Sequence, residues 1–232
     1  MRKYITIICC TLVLAGYAQS FPYPAINESG ESLRDFVPIG WTILDSASGD
    51  LNKDGTIDAA IVIQHRDSVL SINSMLDSVL SQPRMLLIIF KNQAENTLVL
   101  AEQSNTFILQ HDNPTMDDPF QKIIINDGIL TITFQQFYTI GSWYVTNALY
   151  RFRYQQSQLR LVGAEYSSLH RASNEYENYS YNFLTNKRSY TKGINHKPGA
   201  KTTWKTLNIP ALKTLKTFRK PFTWEVEKEV YI

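Results

Sequence analysis

Short apolar runs, four to eight residues long and separated by polar turns, set the pattern of this chain. Residues 41–44 and 59–64 are apolar runs on either side of a polar loop. Residues 85–91 (Met-Leu-Leu-Ile-Ile-Phe-Lys) form a continuous apolar run that suits a strand buried on both faces. Runs at 97–101 and 106–110 follow and read as further strands. Residues 123–125 and 129–134 are joined by Asn126-Asp127-Gly128. Asp-Gly readily takes the positive φ values of a tight turn, so this is the clearest hairpin. Residues 150–154 (Tyr-Arg-Phe-Arg-Tyr) alternate strictly, as does the start of 159–162, with a polar turn between them. Residues 179–183 and 188–190 read as another hairpin, around Thr185-Asn186-Lys187.

Helical signals are weaker. Residues 68–80 carry Val69, Ile72, Met75, Leu76, Val79 and Leu80, a spacing that fits one helical face, although Ser and Asp dilute it; a short helix or an ordered excursion both fit. Pro210 at the start of 210–218, with Leu212 and Leu215 on one side, fits a helical turn or two. The expected fold is mainly β: an antiparallel meander forming a sandwich or an open barrel-like sheet, with one or two short helices.

The first residues change the picture of where this fold resides. Arg2 and Lys3 precede an apolar run at 5–15, and Gly16-Tyr17-Ala18 places small residues at the −3 and −1 positions of a cleavage site. Residues 1–20 therefore read as a secretion signal, cleaved after Ala18, Gln19 or Ser20. Leu14-Ala15-Gly16 resembles a lipobox, but Tyr17 stands where its cysteine belongs, so no lipid anchor is expected. The two cysteines, Cys9 and Cys10, leave with the signal, so the exported chain has no disulfide. Residues 21–232 suffice for a sizeable core without staples, and a single β-rich domain is expected. The 23 basic and 21 acidic residues balance once Arg2 and Lys3 are removed, which gives no global argument for a nucleic-acid or membrane partner. No later segment is long and apolar enough for a transmembrane helix. The expected location is periplasmic or extracellular.

The sharpest local signal lies at residues 49–60, Gly-Asp-Leu-Asn-Lys-Asp-Gly-Thr-Ile-Asp-Ala-Ala. Asp50, Asn52 and Asp54 alternate, Gly55 permits a sharp turn, the Thr56 carbonyl can supply a backbone oxygen, and Asp58 can bind directly or through water. A hard cation such as Ca²⁺ takes six to eight oxygens from a tightly folded loop, and these six residues match the first nine positions of an EF-hand loop. The bidentate Glu of the twelfth position is replaced by Ile61, and the flanks are β-like. The stretch from Gly40 to about Gln64 resembles the calcium element of FG-GAP and VCBS-type repeats. The wider pattern resembles small secreted bacterial proteins of unknown function that carry a single such loop. Those repeats recur many times to build a propeller; one copy implies a structural calcium without a full propeller.

Other constellations are weaker. The histidines His65, His111, His170 and His196 show no zinc spacing, and there is no Gly-x-Ser-x-Gly elbow or phosphate-binding glycine loop. His111-Asp112 with Asp117 and Asp118 reads as a solvated acidic loop ending at Pro119. Two features suggest binding surfaces. Residues 178–220 hold ten Lys or Arg and no Asp or Glu, a bias that suits an anionic surface unless the acidic first half balances it in space. Phe137, Tyr138, Trp143 and Tyr144 cluster around Gly141-Ser142, where exposed rings can stack on sugars or anchor a partner. The leading expectation is a secreted, non-enzymatic binding or envelope-associated module stabilised by calcium, with an anionic or carbohydrate surface as its partner. The alternative is a secreted hydrolase whose site assembles only in three dimensions.

Overall fold

The computed structural model describes residues 21–72 and 77–232; the signal read at 1–20 lies outside them. Among the described residues sixteen strands follow one another: β1 (Ser29–Gly30), β2 (Trp41–Gly49), β3 (Asp58–His65), β4 (Val69–Ile72), β5 (Ser78–Ser81), β6 (Arg84–Asn92), β7 (Thr97–Ser104), β8 (Phe120–Asn126), β9 (Ile129–Phe137), β10 (Tyr144–Gln155), β11 (Gln158–His170), β12 (Glu175–Asn182), β13 (Lys187–Ile194), β14 (Lys201–Thr206), β15 (Glu225–Glu227) and β16 (Val230–Tyr231). Four residues, Leu33–Phe36, form a 3₁₀ turn. The larger sheet is a seven-stranded antiparallel meander in the order β14-β13-β12-β11-β10-β9-β8, and the smaller runs β1-β7-β6-β3-β2.

The two sheets pack as a sandwich. Ala60, Val62, Leu86 and Ile88 of the smaller sheet share one core with Leu130, Ile132, Phe134, Tyr150, Phe152, Leu159 and Leu161 of the larger. The reverse side of the smaller sheet is also covered. Ile61, Ile63, Met85, Leu87 and Ile89 pack there with Phe36 and Trp41, under the N-terminal residues Phe21, Tyr23 and Ile26. That double burial is why β3 and β6 read as unbroken apolar runs, and it matches the expectation for 85–91. The larger sheet has its core on one face only, so β9 and β10 alternate strictly. The Asn126-Asp127-Gly128 hairpin forms as expected, with φ of 51° at Asp127 and 72° at Gly128.

Three local expectations are corrected. The described residues of 68–80 contain no helix: β4 and β5 pair antiparallel, Leu70 opposite Leu80 and Ser71 opposite Val79, with residues 73–76 outside the described ones. The β-branched Val69, Ile72 and Val79 suit a pleated ribbon better than a helix, and the Ser71 and Ser81 hydroxyls bond across it at 3.0 Å. Residues 210–218 are not helical either. The Leu161 N–H donates to the Lys213 carbonyl and the Leu215 N–H to the Leu159 carbonyl, so this segment runs along the end of β11, and its own bonds, from the Thr217 and Phe218 N–H groups to the Thr214 carbonyl, close only a single turn. Residues 106–110 form an irregular plug instead of a strand, with Phe107 and Ile108 buried in the shared core.

Candidate functional site

Asp50, Asn52, Asp54 and Thr56 lie on the turn between β2 and β3, whose outward path depends on φ of 64° at Lys53 and 87° at Gly55, and Asp58 opens β3. Asp50 accepts the Asp54 N–H on Oδ1 at 3.2 Å and the Gly55 N–H on Oδ2 at 3.0 Å. Asn52 Oδ1 accepts the Asp54 N–H at 3.0 Å, and its amide nitrogen donates to Asp54 Oδ2 at 2.9 Å. Asp54 Oδ1 accepts both the N–H and the hydroxyl of Thr56. The Thr56 hydroxyl, the Asn52 amide and the Thr56 N–H, in that order, hold the Asp54 carboxyl below its usual range.

Asp58 differs from the others. It is buried, and it accepts from the N–H groups of Leu51 at 2.9 Å, Asn52 at 3.3 Å and Lys91 at 3.1 Å. Burial pushes its carboxyl up, and these three donors offset only part of that. Asp58 thereby fastens the loop to β6, a role that the motif did not announce. Among the described residues no group of three or more His, Asp or Glu side chains is drawn together as around a metal ion. The loop also rests on the β8–β9 turn: a Cβ at Gly128 would lie 3.0 Å from the Lys53 side chain and 3.4 Å from the Asp50 carbonyl.

A cleft of about 630 Å³ opens between the N-terminal segment, the β4–β5 hairpin, the plug and residues 220–223. Its walls include Phe21, Tyr23, Ile108, Met116 and Phe222, with Asp112, Tyr138 and Lys220 among its polar groups. The region of Asp117 and Asp118, read from sequence as a solvated loop, is tied down: the Asp117 N–H donates to the Phe137 carbonyl at 2.9 Å, and Asp118 pairs with Arg84. Arg84, 3% exposed, donates to Asp118 Oδ1 at 2.8 Å, to the Leu109 carbonyl at 2.7 Å and, through Nε, to Gln64 at 2.8 Å. His111 bonds the Met116 carbonyl instead of a carboxylate.

The aromatic cluster divides. Trp143 and Tyr144 are exposed, by 64% and 52%, while Phe137 and Tyr138 are half-buried. Arg171 lies 4.8 Å from the Phe137 ring centre and 6.0 Å from that of Trp143, bridging the two groups. The basic stretch 178–220 falls on β13, β14 and the following segment. Within it, among the described residues, Arg188 and Lys205 pair with Glu227, and Lys192 pairs with Glu177. The neutralising carboxylates come from the same end of the chain and not from the acidic first half. No residue of β13 or β14 joins the shared core, and Trp204 on the edge strand β14 is 73% exposed. Lysine on an exposed edge also deters pairing with another chain.

No family model matches the chain, and neither a curated protein nor a solved structure matches it.

Proposed function

We propose that this chain is an exported, non-enzymatic binding module of the periplasm or cell exterior, held together at one end by a structural calcium ion. The observation that carries this reading is the larger sheet's second face. Of its seven strands, β8 to β12 bury only one side in the shared core, and the other side of the sheet presents ordered rows of side chains to solvent. Exposed Trp204 on that face, and exposed Trp143 and Tyr144 at the start of β10, add anchors of the kind that dominate binding surfaces. Retention of the purified protein on an insoluble cell-envelope fraction tests the reading, and complete passage in the unbound fraction sinks it.

Calcium suits the loop on chemical grounds. Asp50, Asn52 and Asp54 bring side-chain oxygens to one tight turn, the Thr56 carbonyl adds another, and Asp58 retains unused lone pairs. A bound cation would neutralise three carboxylates packed between β2 and β3. The resemblance to FG-GAP and VCBS-type loops supports the same assignment. A ligand that binds only the folded state adds about 2.7 kcal/mol at a hundredfold excess over its Kd. The melting temperature is therefore expected to rise with excess calcium and fall with chelator. Asp54→Ala abolishes that difference, while Asp117→Ala keeps it. Equal melting temperatures with calcium and chelator would show that the loop is only a polar turn.

Export has its own test. N-terminal sequencing of the secreted protein is expected to start at Gln19, Ser20 or Phe21. Cleavage there keeps Phe21, whose ring packs 5.5 Å from His65 and 6.1 Å from Trp41. Intact Met1 on a cytoplasmic product refutes export.

One observation favours a second reading, a secreted hydrolase: the cleft gathers Asp112, Tyr138 and Lys220 along one wall system. Hydrolytic turnover that disappears in Asp112→Asn would put that reading in place of the first.

A further inference from the structure

The pairing register of the larger sheet lays its outward side chains in straight rows. One row runs Gln135, Asn147, Ser167, Asn178, Thr191 and Thr202, crossing six strands from β9 to β14. All six are amides or hydroxyls, and none is buried. Gln135 donates to Asn147 at 2.9 Å, and the Thr191 and Thr202 hydroxyls meet at 2.9 Å. The row covers five inter-strand steps, about 24 Å at roughly 4.8 Å each. The next row places Ser180 and Ser189 beside the exposed Trp204. On the other side Tyr176 lies over Gly193, its ring 3.0 Å from where a Cβ would stand.

The charges on this face are one-sided. Arg151, Arg153, Arg160, Lys122 and Lys187 all point outward, because their strand neighbours Phe152, Leu159, Leu161, Ile123 and Arg188 face the opposite side. Glu165 is the one carboxylate among the paired outward positions of β9 to β14, and Arg151 already holds it at 2.7 Å. Arg151 also lies across Gly163, where a Cβ would come within 3.9 Å of its Nη1 and 3.0 Å of the Tyr181 carbonyl. Arg153 and Arg160 stand directly opposite each other, an arrangement of like charges that destabilises a sheet. The Nε of each is buried and has no hydrogen-bond partner. A sheet that keeps two guanidiniums face to face, without a counter-charge, is complementary to an anion supplied from outside.

We propose that the outer face of the seven-stranded sheet binds an acidic polysaccharide, with its carboxylate or sulfate groups on Arg151, Arg153 and Arg160 and its sugar hydroxyls along the row from Gln135 to Thr202. The assignment rests on the binding-module reading and names the ligand class for it. Charge alone would fit any polyanion. The hydroxyl and amide row selects a sugar, because each of its groups can both donate to and accept from a ligand hydroxyl. The flanking Tyr176 and Trp204 offer ring faces to the apolar side of a sugar ring.

The test is binding of the purified full chain to immobilised polygalacturonate, dextran sulfate, neutral dextran and polyglutamate. Polygalacturonate and dextran sulfate separate carboxylate from sulfate as the recognised group. At least one of them is expected to bind about tenfold or more tightly than both neutral dextran and polyglutamate. Added salt weakens that binding, since exposed charges are screened over about 8 Å at physiological ionic strength. The double variant Arg153→Gln/Arg160→Gln loses about tenfold or more in affinity. Its melting temperature is unchanged or higher, because a like-charge contact is removed. Asn178→Ala weakens binding to the acidic glycan and leaves polyglutamate unaffected; Lys201→Gln, on the opposite face, changes neither. Equal binding of polyglutamate and the acidic glycans overturns the proposal, as does full affinity in the double variant or no binding to either glycan. If the protein is still retained on envelope material in those cases, the binding-module reading survives and only this site and ligand class fall.

Discussion

Asp118→Ala is expected to lower the unfolding free energy by about 3 kcal/mol, because it strands the buried Arg84 guanidinium without its counter-charge. The estimate sits at the lower end for a broken buried pair because the burial is unequal: the Arg84 side chain is 3% exposed and that of Asp118 43%. Water can solvate Asp118 if its partner is removed, but it cannot reach Arg84. Arg84→Met, which removes the buried charge itself and fills the space with an apolar chain, therefore costs less than Asp118→Ala. Burial pushes the Asp118 carboxyl up, and the hydrogen bonds and charge of Arg84 outweigh it, so the net shift is downward. A carboxyl depressed in the folded state contributes stability above its unfolded pKa and loses it as the pH falls through its folded value. Wild-type stability should thus drop below the ordinary carboxylate range, and Asp118→Asn should flatten that limb. Denaturant melts between neutral and acidic pH measure both effects, and a smaller cost for Asp118→Ala than for Arg84→Met would contradict the argument.

Phe107→Ala should cost about 3–5 kcal/mol, as truncation of a fully buried aromatic ring does. Phe107 is fully buried, and four rings surround it: Phe134 at 6.2 Å, Tyr150 at 5.6 Å, Phe152 at 5.2 Å and Phe218 at 5.5 Å. Three of these contacts are edge-to-face, a geometry that adds about 0.5–1.5 kcal/mol per pair beyond burial. Phe107→Leu keeps most of the buried area but loses the ring geometry, so it should cost less than alanine yet more than a neutral swap. In a domain of this size, about 4 kcal/mol lowers the melting temperature by roughly 10 °C. Calorimetry that finds Phe107→Ala within a degree or two of wild type would mean that the plug is not part of the cooperative core.

The strands of this chain were legible wherever one local rule was enough. Residues 85–91 had to be buried on both faces, because six consecutive apolar side chains, 85–90, alternate between two sides of a strand. Asn126-Asp127-Gly128 had to turn, because two adjacent positive φ values suit those residues. Asp50, Asn52, Asp54 and Gly55 marked a tight, oxygen-rich loop through spacing alone. Local rules failed where two structures satisfied the same pattern. The apolar positions of 68–80 fit a helical face and a ribbon equally, and cross-strand pairing of Leu70 with Leu80 decided between them. Residues 106–110 have the composition of a strand, yet no neighbouring strand pairs with them, and Phe107 is held by four rings from distant segments. The roles of Asp58 as a clamp on Lys91 and of Asp118 as the partner of Arg84 span 33 and 34 residues, beyond any local signal. The outer-face rows depend on register most of all. Arg153 and Arg160 are seven positions apart in a sequence of alternating residues, and the tight turn between β10 and β11, which pairs Gln155 with Gln158, sets them opposite each other. Sequence alone determined the strands and turns whose pattern admits one reading, such as 85–91 and 126–128, since those choices follow from side-chain alternation and backbone φ. Tertiary structure decided which strands align and which charges meet, because a shift of one residue in register would move every side chain to the other face.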